Sequence, residues 1–140
     1  MEKYNITFKG YWRDVNKDGL PSYGGVYLVY CCTYNKEQNT VTLNKLIYIG
    51  KAINIHDRIA NHDRYEDFRR QLEVGQELCY SCSSVSSNDL DLIENALIFM
   101  QQPDLNDKLK EGFYYVDSRF SVDGDCALLK MKEFSITTKE

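Results

Sequence analysis

The sequence has no run of about 18 apolar residues, the length a membrane-crossing helix needs. Its first residues, Met1-Glu2-Lys3-Tyr4-Asn5, lack the apolar core of a secretory signal. Cytoplasmic residence with no membrane partner follows as the default expectation. Internal repeats, low-complexity tracts and linker-like stretches are also missing, so a single domain is expected over 1–140. Five cysteines cannot form a fully paired disulfide framework. The lone Cys79-Tyr80-Ser81-Cys82 is one knuckle where structural zinc usually takes two. Cys31 and Cys32, adjacent in a strand, point to opposite faces. Buried reduced thiols are therefore expected. A surplus of positive charge is absent as well: the net charge is −4. Residues 1–85 carry 11 basic and 10 acidic side chains, and residues 86–140 carry 6 and 11. That balance predicts weak nonspecific binding to a polyanion such as DNA. Positive character is confined to the half holding Lys51, Arg58, Arg64, Arg69 and Arg70.

What is present is an ordinary globular composition, 43% hydrophobic, in a chain long enough for one sizeable core. Tyr4, Ile6 and Phe8 alternate with polar residues and predict an N-terminal strand. Asn16-Lys17-Asp18-Gly19 and Pro21 mark a turn. Val26–Tyr30 and Leu46–Ile49 are aromatic and β-branched, as buried strands are. Between them Cys31 to Lys45 is expected to form an extended polar hairpin loop. A first helix is predicted from Ile53 or Asn54 to about Leu72, ended by Gly75. Glu77 to Val85 predicts another strand, and Ser86-Ser87-Asn88-Asp89 caps the helix that follows. Gln101-Gln102-Pro103 ends that helix. Phe120–Val122 and Cys126–Met131 predict a hairpin around Asp123-Gly124.

The second helix carries the first chemical signal. Ile93, Ala96, Leu97 and Met100 follow the spacing of a core-facing stripe. Glu94 lies beside that stripe, flanked by Leu90 and Ile98 one turn away on either side. A carboxylate there loses water on both flanks, which is costly unless it is paired or holds a metal. Asp91, on the same helix, has the setting of a solvated or capping residue.

Gly25-Val26-Tyr27 and Tyr48-Ile49-Gly50 add two tyrosine-centred triplets, the second followed by Lys51. Arg58 and His62 follow on the first predicted helix, at a spacing that puts both on one face. Glu94 and Asn106 complete the series. Taken singly, each residue has an ordinary structural role: a core tyrosine, a solvated arginine, a satisfied histidine, a turn-capping asparagine. Taken in order, the set resembles the GIY-YIG nuclease family, from about residue 24 to residue 107. The longer connection over 31–45 departs from the family's tight hairpin.

The resemblance implies an α/β (α+β) fold with a small central antiparallel β-sheet flanked by helices. The core would span about 21–110, with an additional N-terminal strand in 1–20 and a C-terminal hairpin in 111–140. It also implies a Mg²⁺- or Mn²⁺-dependent endonuclease that hydrolyses DNA phosphodiester bonds. The catalytic set would be Tyr27, Tyr48, Lys51, Arg58, His62 and Glu94. Glu94 would be the metal anchor, and Gly50, Arg58 and Asn106 would meet the substrate. A hard cation keeps several waters, so one carboxylate suffices to anchor it. In the family the arginine grips the scissile phosphate, which suits its fork geometry. Either tyrosine can activate water once a nearby cation lowers its pKa from about 10. Tyr27 is the favoured base, with Tyr48 positioning the water. The acidic charge predicts weak DNA binding by the isolated domain, so a protein partner or an oligomer is a second route to affinity. The alternative reading is a retained fold that binds nucleic acid or protein with little or no cleavage. A subunit of a larger repair or recombination machine is a third.

Overall fold

A computed structural model of the chain describes residues 1–137. Six strands form one sheet in the order β3-β2-β4-β1-β5-β6. They are β1 (Glu2–Arg13), β2 (Gly25–Asn35), β3 (Thr40–Ala52), β4 (Glu77–Ser84), β5 (Ser118–Gly124) and β6 (Glu133–Ile136). Among the described residues they are joined by three α-helices, α1 (Ile55–Ala60), α2 (Tyr65–Arg70) and α3 (Leu90–Gln101), and by a 3-10 helix over Asp14–Gly19. The α+β class is as expected, but the sheet is mixed, because β1 pairs with β5 in parallel.

Alternation along the strands divides the interior in two. One face holds Ile6, Phe8, Val26, Leu28, Tyr30 and Ile49, with α3 packed on it and Phe120, Val122, Phe134 and Ile136 of β5 and β6 extending the same layer. The other holds Tyr27, Val29, Cys31, Ile47 and Tyr80, with α1 and α2 over it. All five cysteines are buried and free. Cys79 and Cys82 belong to opposite faces, so their spacing makes no metal knuckle. No helix among the described residues is long and apolar enough to cross a membrane.

Four sequence expectations are corrected. The 31–45 connection is not a loop: β2 and β3 pair through Cys31↔Lys45 to Asn35↔Thr40, leaving a turn at 36–39. Thr40-Val41-Thr42-Leu43 alternates as a strand should, and polar side chains on an exposed hairpin end do not prevent pairing. The first helix is broken into α1 and α2, with Asn61–Arg64 between them. Apolar Ile59 and Phe68 are nine residues apart. At about 3.6 residues per turn that is half a turn out of phase, so one continuous helix could not bury both. Asp89 makes no side-chain cap on α3; Ser86 Oγ instead accepts from Asn88 N at 3.3 Å within a turn. The C-terminal hairpin pairs β5 with Glu133–Ile136, not with 126–131. Phe134 and Ile136 supply the two buried side chains that an inward-facing strand needs there.

Candidate active site

The pairing of β2 with β3 places Tyr27 directly opposite Gly50, with Tyr48 two residues back on the same face. A Cβ built on Gly50 would lie 2.3 Å from Tyr27 Oη. The tyrosine ring that lies across it therefore leaves no room for a side chain at position 50. The ring centroids of Tyr27 and Tyr48 are 6.3 Å apart. Their exposures differ: Tyr27 is 1% exposed, whereas Tyr48 is half-buried and lines a cleft.

The break between α1 and α2 supplies the next group. His62 is not on the helix of Arg58 but in the connection. It is buried against Phe68, 4.8 Å between ring centroids, and edge-on to both tyrosines. Its two ring nitrogens have distinct partners. The backbone N–H of Arg64, which can only donate, reaches Nδ1 at 3.1 Å. Nδ1 is then an acceptor, and the proton of the neutral ring sits on Nε2. Nε2 lies 2.7 Å from Tyr27 Oη and donates to it. Burial, helped by the charge of Arg58, pushes the His62 pKa down to about 4, so the neutral ring is the resting form. Arg58 comes in beside the same hydroxyl and pulls the Tyr27 pKa down, against a larger upward push from burial. Its Nη2 also pairs with Asp63 Oδ1 at 2.8 Å. The expected shared helix face is therefore corrected, although both side chains still reach Tyr27.

Glu94 approaches from the other face of the sheet, on α3. It lines the same cleft as Tyr48, a cavity of about 370 Å³ that also includes Arg64, Asn106 and Lys108. Burial raises its pKa, and the nearest opposing influence is the charge of Lys51. Lys51 itself pairs with Asp91, which stays exposed in the first turn of α3, as expected of a solvated residue. Asn106 is buried, and its amide is fully engaged with Ile49: Oδ1 accepts from the N–H at 3.0 Å and Nδ2 donates to the C=O at 2.9 Å. That side chain holds the strand residue between Tyr48 and Gly50. Arg64, named from sequence only as one of several cations, enters the cleft with its Nη1 on Leu105 O at 2.5 Å and its charge 5.5 Å from the Tyr48 ring centroid. Arg69 and Arg70 pair with Glu66 and Asp67 on their own helix.

No group of three or more His, Cys, Asp or Glu able to hold a metal exists among the described residues. A single half-buried carboxylate in a cleft with room for water fits a hydrated hard cation and does not fit zinc.

Known proteins similar to this chain share one name. Over 91 residues it is 35% identical to the protein named Excinuclease cho of Escherichia coli, which covers 65% of this chain and 28% of that protein. It is 34% identical over 91 residues to the same-named protein of Shigella flexneri, again 65% and 28%. For Salmonella typhi the figures are 32% over 90 residues, 64% and 27%. The chain thus spans little more than a quarter of the length of these curated relatives. No family model matches the chain, and no solved structure does.

Proposed function

We propose that this chain is a divalent-metal-dependent nuclease domain that hydrolyses phosphodiester bonds in DNA. One observation carries the reading: at the β3 edge, a buried tyrosine–histidine pair and two arginines from one face meet an unpaired carboxylate from the other. Packing alone gives no reason for that convergence.

Glu94 would hold Mg²⁺ or Mn²⁺. When bound, the ion would supply Lewis acidity to a phosphoryl oxygen and charge compensation for the leaving oxygen. The chain's own residues supply the rest. Arg58 is the fork for the scissile phosphate, and Lys51 and Arg64 flank it. Tyr48, which lines the cleft, meets the attacking water. Tyr27 lies behind it and accepts the His62 Nε2–H. That donation directs the phenol's own proton away from His62. Because burial raises the pKa of both tyrosines, neither ionises at rest. Proton acceptance would therefore require the positive charge of a bound metal, acting with Arg58 and Arg64 against the anionic substrate, to lower the Tyr48 pKa. This assignment places water at Tyr48 in preference to Tyr27, the base favoured from sequence, because of the difference in exposure. Asn106 acts by holding the strand.

The test is cleavage of supercoiled, branched and single-stranded DNA by the purified protein, with Mg²⁺ and with EDTA. Metal-dependent products, reduced more by Tyr48→Phe than by Tyr27→Phe, support the proposal. No cleavage of any substrate with metal present overturns it.

A second reading, binding without cleavage, is favoured by a different observation. Lys51, Arg58 and Arg64 each pair with an aspartate already. Substrate phosphate has to displace those partners. Metal-independent DNA binding with no cleavage is the outcome that selects this reading.

A further inference from the structure

Beyond the cleft, the chain runs into a segment that the proposed chemistry leaves unused. Asn106 to Leu109 line the cleft, and the next residues are fastened to α3 by Asn95, the neighbour of Glu94. Asn95 is 1% exposed. Its Nδ2 donates to Leu109 O at 3.3 Å and Gly112 O at 2.8 Å, and its Oδ1 accepts from Tyr114 N at 3.0 Å. Phe113 turns inward and packs on Phe120, with ring centroids 6.1 Å apart. The three residues that follow turn outward. Tyr114 is 65% exposed, Tyr115 39% and Val116 62%. Tyr115 lies within electrostatic reach of Lys51, the cation that follows Gly50.

A buried amide with three bonds is a strong anchor for a loop. Here it anchors one whose exposed side chains are aromatic. Tyr115 tilts against Phe113, 5.7 Å between ring centroids, and the Tyr114 ring lies over Gly112, yet both keep a large exposed surface. Aromatic faces next to backbone-binding cations are how proteins hold unpaired bases, since every base has a stacking face. In an intact duplex those faces are already covered by neighbouring base pairs.

Resting on the nuclease reading above, we infer that Tyr114 and Tyr115 form a stacking platform for an unpaired nucleobase next to the scissile phosphate. The substrate class is then DNA with unpaired bases, not uniform duplex. The clamp ties the platform to the helix that carries Glu94, so base and phosphate are registered against one rigid element.

The experiment measures binding in EDTA to two labelled duplexes of equal length, one fully paired and one with a short internal bubble. A 2-aminopurine in the bubble reports stacking by loss of fluorescence. The wild type is expected to bind the bubble about tenfold more tightly and to quench the probe. Tyr114→Ala/Tyr115→Ala should lose both effects, and Tyr114→Phe/Tyr115→Phe should keep them. Equal affinity for the two duplexes, no quenching, or a preference retained by the alanine pair would overturn the inference. The quenching result with wild type stands even if a variant misfolds. Equal cleavage of both duplexes with Mg²⁺ would sink this inference and leave the nuclease reading intact. A bubble preference without any cleavage would do the reverse.

Discussion

The two faces of the sheet use different materials. The α3 face is a broad apolar layer: Leu90, Leu92, Ile93, Ala96, Leu97 and Ile98 are all buried, and β5 and β6 extend it. The α1/α2 face is covered by two helices of six residues each, and much of its interior is aromatic with polar tips: Tyr27, Tyr48, Tyr80 and His62. Short helices leave connections between them, and a connection is where His62 can turn inward. The first face provides stability and lends one carboxylate at its rim. The second provides the polar atoms. Mutations on the two faces should therefore separate stability from activity.

The largest expected effect is at the rim. Glu94→Ala should lower metal-dependent cleavage by about 10³-fold or more while the melting temperature holds or rises, since alanine favours helix and removes a desolvated charge. An unfolded variant, or one cleaving at the wild-type rate, breaks the assignment. On the apolar face, Leu97→Ala should cost about 2–5 kcal/mol of stability in denaturant unfolding. At temperatures where it stays folded, its cleavage rate should be unchanged. A selective loss of rate would show that the two faces are not separable.

His62 gives the second face a pH signature. Its folded pKa, about 4, is depressed below the ordinary 6.5. The folded state therefore binds fewer protons than the unfolded one between those values. Stability contributed by the neutral ring is present above pH 6.5 and lost as pH falls toward 4, by up to about 3 kcal/mol. Urea titrations across that window should show the slope in wild type and a flatter one in His62→Gln. Equal slopes would mean other groups carry it. Arg58→Lys keeps charge and loses the fork, and about a 10²-fold fall in kcat with little change in melting temperature is expected. Equal activity would make Arg58 a surface charge. The smallest effect concerns salt. The cations near the cleft are few, Lys51, Arg58 and Arg64, so few phosphates are neutralised and few DNA-bound cations are released. Binding of the Glu94→Ala variant to duplex and branched DNA should fall with a shallow salt slope, well below that of about six phosphates. A steep slope would expose a basic surface outside this cleft.

Much of the site was legible from residue types and their order along the chain. Glu94 stood out as a carboxylate within an apolar helix, whereas Tyr27, Tyr48 and the fold class came from the ordered resemblance to the GIY-YIG nucleases. The helix break was written in the sequence as the phase slip between Ile59 and Phe68, but hydrophobic period is hard to score across a polar gap. The contacts that Gly50 and Asn106 make within the fold were not legible. Each depends on a partner across the sheet or 57 residues away, and spacing along the chain carries no trace of such a contact. The Lys51–Asp91 pair was hidden for the same reason. In the C-terminal hairpin, Asp-Gly marked where β5 ends but not where its partner begins, because the intervening segment is irregular.

Asn106 has one more effect. β3 is the outermost strand, so one side of it has no neighbouring strand. Such an edge is a template on which another chain can add itself, the first step of self-association. Here Leu105 N donates to Ile47 O at 3.1 Å and Asn106 occupies both polar groups of Ile49. Two residues thus stand in for a missing strand over the stretch that carries Tyr48. Over Ile47 to Ile49 a second copy of the chain therefore finds those backbone groups already taken.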